Sequence, residues 1–257
     1  MNSKPRYIEV AQQGRVLRIT LNRPEKRNAL NLDLCHELLE AFDGADLDHS
    51  VGAIVLNANG PSFCAGMDLK ETFDADQVRL AAIHDRLFTT IQRVRTPVIA
   101  AVHGAALAGG TGVAANAHIV FATPDSRFGL TEIRIGLWPV MIFRAVEHAM
   151  GERRTVELSL TGREFSAVDA QLYGLVTEVV DNPLERAMDL AERLAAYSPL
   201  AIGAGLDYVH QIRGHDWEHA GRVARQTRDR LLSNEDFKEG ALAFLEKRQP
   251  SWPSLKP

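Results

Sequence analysis

The stretch from Pro97 to Pro139, PVIAAVHGAALAGGTGVAANAHIVFATPDSRFGLTEIRIGLWP, indicates how the middle of the chain folds. It opens with an apolar run from Val98 to Val102, which is typical of a strand buried on both faces. The segment Ala108 to Gly112 (AGGTG) then has almost no side chains, and small residues continue to Ala117. We therefore predict a buried strand, a bare turn and the start of a helix.

A turn of this kind can bind a negative charge. The first N–H groups of a helix have no partner inside the helix, so they can face an anionic atom. About twenty residues downstream, Glu132 ends the apolar and small segment Phe128–Glu132. N–H donors together with a carboxylate in apolar surroundings form a plausible site for making an enolate. The competing interpretation of Glu132 is a surface carboxylate paired with Arg134.

Strand and helix signals alternate through the first 180 residues. Further strands are predicted at Val16–Leu21, Ala53–Ala58, Ile119–Ala122 and Val176–Val180. Helices are predicted after Asn31, which can cap the first one, between Asp76 and Val94, at Ile142–Met150, at Thr155–Leu160 and after Ser166. This alternation predicts an α/β fold with largely parallel strands.

Only helices are predicted after Pro183. One is marked by Leu184, Met188, Ala191 and Leu194, and another by Phe237, Ala241, Phe244 and Leu245. Ser233 is the expected N-cap of the second helix. We therefore divide the chain into an α/β core at residues 1–182 and a helical segment at residues 183–257, which packs on the core or on a neighbouring subunit.

Composition argues against several classes of protein. The 257 residues are 46% hydrophobic and 24% charged, with a formal net charge of -4, which does not favour a nucleic-acid partner. No apolar run reaches the roughly 18 residues that a membrane helix needs, so we expect no membrane partner. The polar N-terminus and a cysteine content limited to Cys35 and Cys64 favour a cytoplasmic location.

Several motifs have a structural and a functional interpretation. The loop Asn22–Asn28 is either a solvated loop or a phosphate grip through Lys26 and Arg27. The glycines of the Ala108–Gly112 turn allow close helix–strand packing, with or without a functional role. Cys64 lacks an identifiable base for a nucleophile, and the spacing G-x-G-x-x-G of a dinucleotide site is absent.

Four segments resemble the crotonase family of enoyl-CoA hydratases and isomerases, in the family's order and over nearly the whole chain. They are Asn22–Leu30 (NRPEKRNAL), Phe63–Lys70 (FCAGMDLK), Pro97–Gly112 and Phe128–Glu132 (FGLTE). The resemblance implies the ClpP/crotonase fold, a superhelix of repeated ββα units, assembled as trimers or pairs of trimers. It also implies an acyl-CoA substrate, with coenzyme A as part of the substrate and no separate cofactor or metal.

The resemblance assigns roles to individual residues. The N–H groups of Met67 and Gly109 are the implied donors to the thioester oxygen, and Glu132 is the implied catalytic base. Contacts with the substrate or with CoA are implied for Lys26, Arg27, Ala29, Ala65, Asp68, Leu69, Gly112, Trp138 and Met141.

Two departures from the family pattern bear on the reaction. Hydratases of the family carry a second glutamate three residues after the oxyanion glycine, where this chain has Gly112. The family's small, glycine-rich helix start is replaced by the bulky segment Trp138–Phe143. Since one base is enough to shift a double bond, we expect Δ3–Δ2 enoyl-CoA isomerisation. Hydration by Glu132 alone and a catalytically weak CoA-thioester-binding protein are the alternatives.

Overall fold

The computed structural model describes residues 7–74 and 76–256 as two β-sheets surrounded by helices. The strands are β1 (Ile8–Gln13), β2 (Val16–Leu21), β3 (Ala53–Ala58), β4 (Val98–Val102), β5 (Ala105–Leu107), β6 (Ile119–Ala122), β7 (Arg127–Gly129), β8 (Glu164–Ser166) and β9 (Glu178–Val179). The helices are α1 (Leu32–Leu47), α2 (Leu69–Asp74), α3 (Gln77–Thr90), α4 (Gly109–Asn116), α5 (Val140–Met150), α6 (Glu152–Thr161), α7 (Ala167–Tyr173), α8 (Pro183–Ala195), α9 (Pro199–Ile212), α10 (Trp217–Leu232) and α11 (Glu235–Glu246).

The larger sheet has six strands in the order β1-β2-β3-β4-β6-β9. β1 and β2 form an antiparallel hairpin, and the other neighbouring strands pair in parallel. The predicted α/β core with largely parallel strands is therefore confirmed. β1 has no clear signal in the sequence, because half of its residues are polar and only Ile8 is buried.

The larger sheet packs on both faces because successive side chains of a strand point in opposite directions. Ile54 and Leu56 of β3 pack in the core that includes α1 and α3, whereas Ala53 and Val55 pack on the opposite side. That opposite face is covered by alanines of α8, namely Ala187, Ala191 and Ala195. The first helix after residue 183 thus packs on the sheet, while the division of the chain at that residue stays a prediction.

The smaller sheet positions the site. Its strands have the order β5-β7-β8, with β5 parallel to β7 and β7 antiparallel to β8. β5 leads into the turn before α4, and β7 leads into the segment that carries Glu132. These strands have no signal in the sequence, because three residues are too few to show a period.

Within residues 183–256 the structure has four α-helices, α8 to α11, of which the sequence predicts two. Asn234 caps α11 by accepting a hydrogen bond from the N–H of Phe237, whereas Ser233 ends α10, so the predicted cap is wrong. Phe244 and Leu245 of α11 are exposed, so they do not pack on the core, and packing on a neighbouring subunit stays a prediction. No helix in the described part of the chain is long and apolar enough to cross a membrane.

Candidate active site

The first turn of the site, Cys64–Met67, is fastened to the polar loop that precedes α1. The N–H of Leu30 donates to the oxygen of Gly66 (2.7 Å), and the N–H of Ala65 donates to the oxygen of Arg27 (2.9 Å). Gly66 has φ +93°, a conformation that favours glycine. The loop therefore has a structural role, since it holds the first turn in place by backbone hydrogen bonds.

The second turn, Leu107–Gly109, begins α4. Ala108 has φ +49° and ψ -121°, and its N–H donates to the oxygen of Gly129 (2.8 Å). A Cβ atom on Gly110 would lie 2.1 Å from the oxygen of Cys64, so only glycine lets α4 approach the first turn this closely. The glycines thus serve close packing, as one interpretation of the sequence proposed.

The two turns adjoin each other and present free donors. A Cβ atom on Gly66 would lie 2.9 Å from Cβ of Ala108 and 3.3 Å from the nitrogen of Gly109. Within residues 7–74 and 76–256, neither the N–H of Met67 nor that of Gly109 has a hydrogen-bond acceptor. Two such donors, one at the positive end of α4, can stabilise a developing oxyanion.

Glu132 lies in a short 3₁₀ helix, Thr131–Ile135, directly after β7. Its side chain is half-buried, and among the described residues its Oε2 atom has no hydrogen-bond partner. Burial raises the pKa of the Glu132 carboxyl above its usual range. Arg134 instead pairs with Glu164 (3.4 Å), so the structure does not support a Glu132–Arg134 surface pair.

A cavity of about 280 Å³ connects the two turns with Glu132. Of the residues proposed for the site, it is lined by Ala65, Met67, Leu69, Gly109, Glu132, Trp138 and Met141. The remaining lining is mostly apolar. Among the described residues that line the cavity, Glu132 and His84 are the only titratable ones.

The other proposed site residues lie outside this lining. Lys26 and Arg27 have exposed side chains on the polar loop. The oxygen of Ala29 accepts a hydrogen bond from Nη1 of Arg23 (2.9 Å), and the same guanidinium pairs with Asp68 (2.7 Å). The carboxylate of Asp68 thus holds Arg23 and the start of α2, which is a structural task.

Gly112 does not face the cavity as expected. A Cβ atom on Gly112 would lie 2.2 Å from Cγ2 of Ile142 and 3.2 Å from Cε1 of Phe88. The side chain of Ile142, on α5, therefore covers the position where family hydratases carry the second glutamate. Ile142 belongs to the bulky segment Trp138–Phe143, so part of that apolar bulk lies directly against Gly112.

Several lining residues were not proposed from the sequence, notably Leu30, His84, Phe88 and Ile142. His84 and Phe88 lie four residues apart on α3, each one residue after a buried apolar residue, Ile83 or Leu87. A wider apolar stripe on α3 would have included them. Nothing in that spacing distinguishes a core residue from a residue that lines a cavity.

Comparisons with known proteins identify relatives of this chain. The family model described as enoyl-CoA hydratase/isomerase matches residues 11–255. The chain is 36% identical over 249 residues to 2,3-dehydroadipyl-CoA hydratase from Escherichia coli, covering 95% of this chain and 97% of that protein. It is 38% identical over 245 residues to a probable enoyl-CoA hydratase from Rhizobium meliloti, covering 93% of this chain and 95% of that protein.

Among solved structures, an enoyl-CoA hydratase from Mycobacterium smegmatis superimposes with a TM-score of 0.91 at 34% sequence identity. The match covers 96% of this chain and 99% of that chain. The predicted crotonase-like fold is confirmed by this likeness.

Proposed function

Because the chain belongs to the enoyl-CoA hydratase/isomerase family, whose enzymes act on CoA thioesters, we propose that it moves the double bond of a 3-enoyl-CoA to position 2. Glu132 is the single base in this proposal. One observation carries it: Glu132 is the only carboxylate among the described residues that line the cavity, and Ile142 occupies the position of a second.

The reaction divides into tasks that the site can perform. The thioester oxygen accepts hydrogen bonds from the N–H groups of Met67 and Gly109, which stabilise the negative charge that develops there. Glu132 removes a proton from C2, and the electrons of the C–H bond move into a dienolate. The same carboxyl then returns the proton at C4, leaving the double bond between C2 and C3. Burial raises the pKa of the Glu132 carboxyl. A raised pKa makes the carboxylate a stronger base for removing the proton from C2, and the carboxyl can still return that proton at C4.

Hydration of a 2-enoyl-CoA is the second candidate, and the names of relatives favour it. The relatives from Escherichia coli and Rhizobium meliloti are both named as hydratases. In this reaction Glu132 alone would orient and deprotonate a water molecule. The apolar lining and the covered Gly112 offer no second carboxylate to hold that water, which is why we place isomerisation first. Membership of an enzyme family disfavours the third alternative, a catalytically weak binding protein.

A paired assay tests the order of the two reactions. The enzyme is incubated with 3-hexenoyl-CoA and, separately, with 2-hexenoyl-CoA, and the products are separated by chromatography. We expect isomerisation to have the higher kcat/KM. Faster hydration, with little isomerisation, would reverse the assignment.

The proposal extends to the CoA moiety, the assembly and the location of the enzyme. The exposed cations Lys26 and Arg27 lie on the loop that holds the first turn, where they can reach phosphate groups at the cavity mouth. We propose a homotrimer or a dimer of trimers, in the cytoplasm, where Cys35 and Cys64 stay as buried free thiols. No cofactor or metal enters the proposed mechanism, so dialysis against a chelator is expected to leave turnover unchanged.

A further inference from the structure

A second unpaired polar group lies in the same cavity as Glu132. The side chain of His84, on α3, lines the cavity and is only 6% exposed. Its Nε2 atom is buried and has no hydrogen-bond partner among the residues that the structure describes. A buried polar atom without a partner costs stability. Its presence in a substrate cavity therefore points to a ligand atom that pairs with it.

The surroundings keep the imidazole uncharged. The ring centroid of Phe88 lies 6.0 Å from that of His84, and the rest of the lining is mainly apolar. Burial lowers the pKa of His84, so the neutral ring is favoured at physiological pH. A neutral imidazole has one N–H donor and one acceptor nitrogen, and it suits an uncharged oxygen better than a charged group.

The proposed reaction leaves this atom without a task. The thioester oxygen accepts hydrogen bonds from the N–H groups of Met67 and Gly109, and Glu132 transfers the proton. The part of the acyl chain that does not react must fill the remaining, mostly apolar space. Apart from Oε2 of Glu132, Nε2 of His84 is the buried side-chain atom without a hydrogen-bond partner among the described residues of that space, whose lining also includes Thr131 and Trp138.

We propose that His84 selects the acyl group, its Nε2 atom forming a hydrogen bond with a hydroxyl or keto oxygen carried by the chain. This inference rests on the proposed binding of an acyl-CoA thioester in the cavity, and it narrows the substrate class to oxygen-bearing acyl groups. It holds for isomerisation and for hydration alike.

Binding of unreactive, saturated thioesters tests this inference separately from the reaction. Calorimetry would compare butyryl-, valeryl- and hexanoyl-CoA with the corresponding chains that end in a hydroxyl group, and with adipoyl-CoA. At one chain length at least, the hydroxyl-bearing thioester is expected to bind about 10-fold or more tightly than its plain counterpart. If the plain chains bind and no length shows a preference above about twofold, the inference is overturned, whatever reaction the enzyme catalyses.

Variants assign the preference to His84. His84→Leu is expected to abolish the discrimination while its melting temperature stays equal or rises, because an unpaired buried polar atom has been removed. His84→Gln, which keeps a donor and an acceptor, is expected to retain part of it. His36→Leu, at an exposed histidine of α1, is the matched control and is expected to bind all thioesters as the wild type does. Unchanged discrimination in a folded His84→Leu variant would overturn the assignment, as would a preference for adipoyl-CoA alone.

Discussion

Burying a charged side chain costs free energy unless hydrogen bonds or opposite charges offset that cost. For Glu132 the surrounding residues offset little of it. Its Oε2 atom is buried without a partner among the described residues, in a cavity whose lining is mostly apolar. Such a group is reactive because it can accept a proton near working pH.

Glu132→Gln is therefore expected to lower kcat by about 10² to 10⁴, the usual contribution of a general base, with little change in the affinity for a saturated acyl-CoA. Steady-state kinetics and calorimetry measure the two quantities. Glu40→Gln, at an exposed glutamate of α1, is the matched control and is expected to leave both unchanged. Near-normal turnover in Glu132→Gln would remove this residue from the mechanism.

The same burial predicts a dependence of stability on pH. The pKa of Glu132 is raised in the folded chain, so the folded state favours the protonated carboxyl. This contribution is fully present below the usual pKa of a glutamate, about 4.3, and is lost as pH rises through the higher folded value. Glu132→Gln resembles the protonated form at every pH. Its melting temperature should therefore exceed that of the wild type at pH 7, and the difference should shrink towards pH 4. A difference that is constant over this range would contradict the expected ionisation.

At the same scale, Glu132 could be identified from the sequence, whereas His84 could not. Glu132 follows a recognisable motif, FGLTE, and its apolar neighbours in the chain already suggest a perturbed carboxyl. His84 has no motif, and its position in the cavity depends on how α3 packs against elements distant in sequence. Ile142 was missed for a similar reason, because only the contact between α4 and α5 shows that it covers Gly112.

The position of α4 depends on the absence of a side chain at Gly110. Gly110→Ala places a Cβ atom 2.1 Å from the backbone oxygen of Cys64, which cannot yield as a side chain does. We expect a loss of about 1–3 kcal/mol in the free energy of unfolding. A shift of α4 also moves the N–H of Gly109, so kcat should fall about tenfold or more.

Gly44→Ala is the matched control, because Gly44 is also a helical glycine. A Cβ atom there meets no atom within 4 Å. This variant should gain about 0.4–1 kcal/mol and keep full activity. Denaturant melts and initial rates measure both variants, and equal stabilities for the two would contradict the proposed close contact.

The contact between α4 and α5 determines whether a second carboxylate fits. Gly112→Glu alone is expected to destabilise the fold, since its Cβ atom would lie 2.2 Å from Cγ2 and 2.6 Å from Cβ of Ile142. Ile142→Ala keeps the Cβ atom, so Ile142→Gly is the change that makes room. The double variant Gly112→Glu/Ile142→Gly should raise the ratio of hydration to isomerisation. Ile142→Gly alone is the control. A folded double variant with the same ratio of hydration to isomerisation as this control would contradict the hypothesis that residue 112 determines which reaction is catalysed.

Elements were predictable from the sequence where their patterns are long. Strands β2, β3, β4 and β6 have the bounds that the sequence predicts, because most of their residues are apolar and buried. The three-residue strands of the smaller sheet carry no such signal. α10 is mostly polar, and Val223 is its one buried residue among those described, so its sequence gives no clear apolar face.

The chain as a whole presents apolar side chains that its own core does not cover. On α11, Phe237 is 48% exposed, Phe244 83% and Leu245 77%. Contiguous exposed apolar area is typical of protein–protein contacts, and the proposed partner is a second copy of this chain.

We expect sedimentation at micromolar concentration to give three or six times 28.4 kDa. Phe244→Asp should shift the population towards the monomer, because a charge would be buried in the contact. Leu47→Asp, at an 80% exposed leucine of α1, is the control and should sediment as the wild type does. A wild-type chain that sediments as a stable monomer would contradict the proposed assembly.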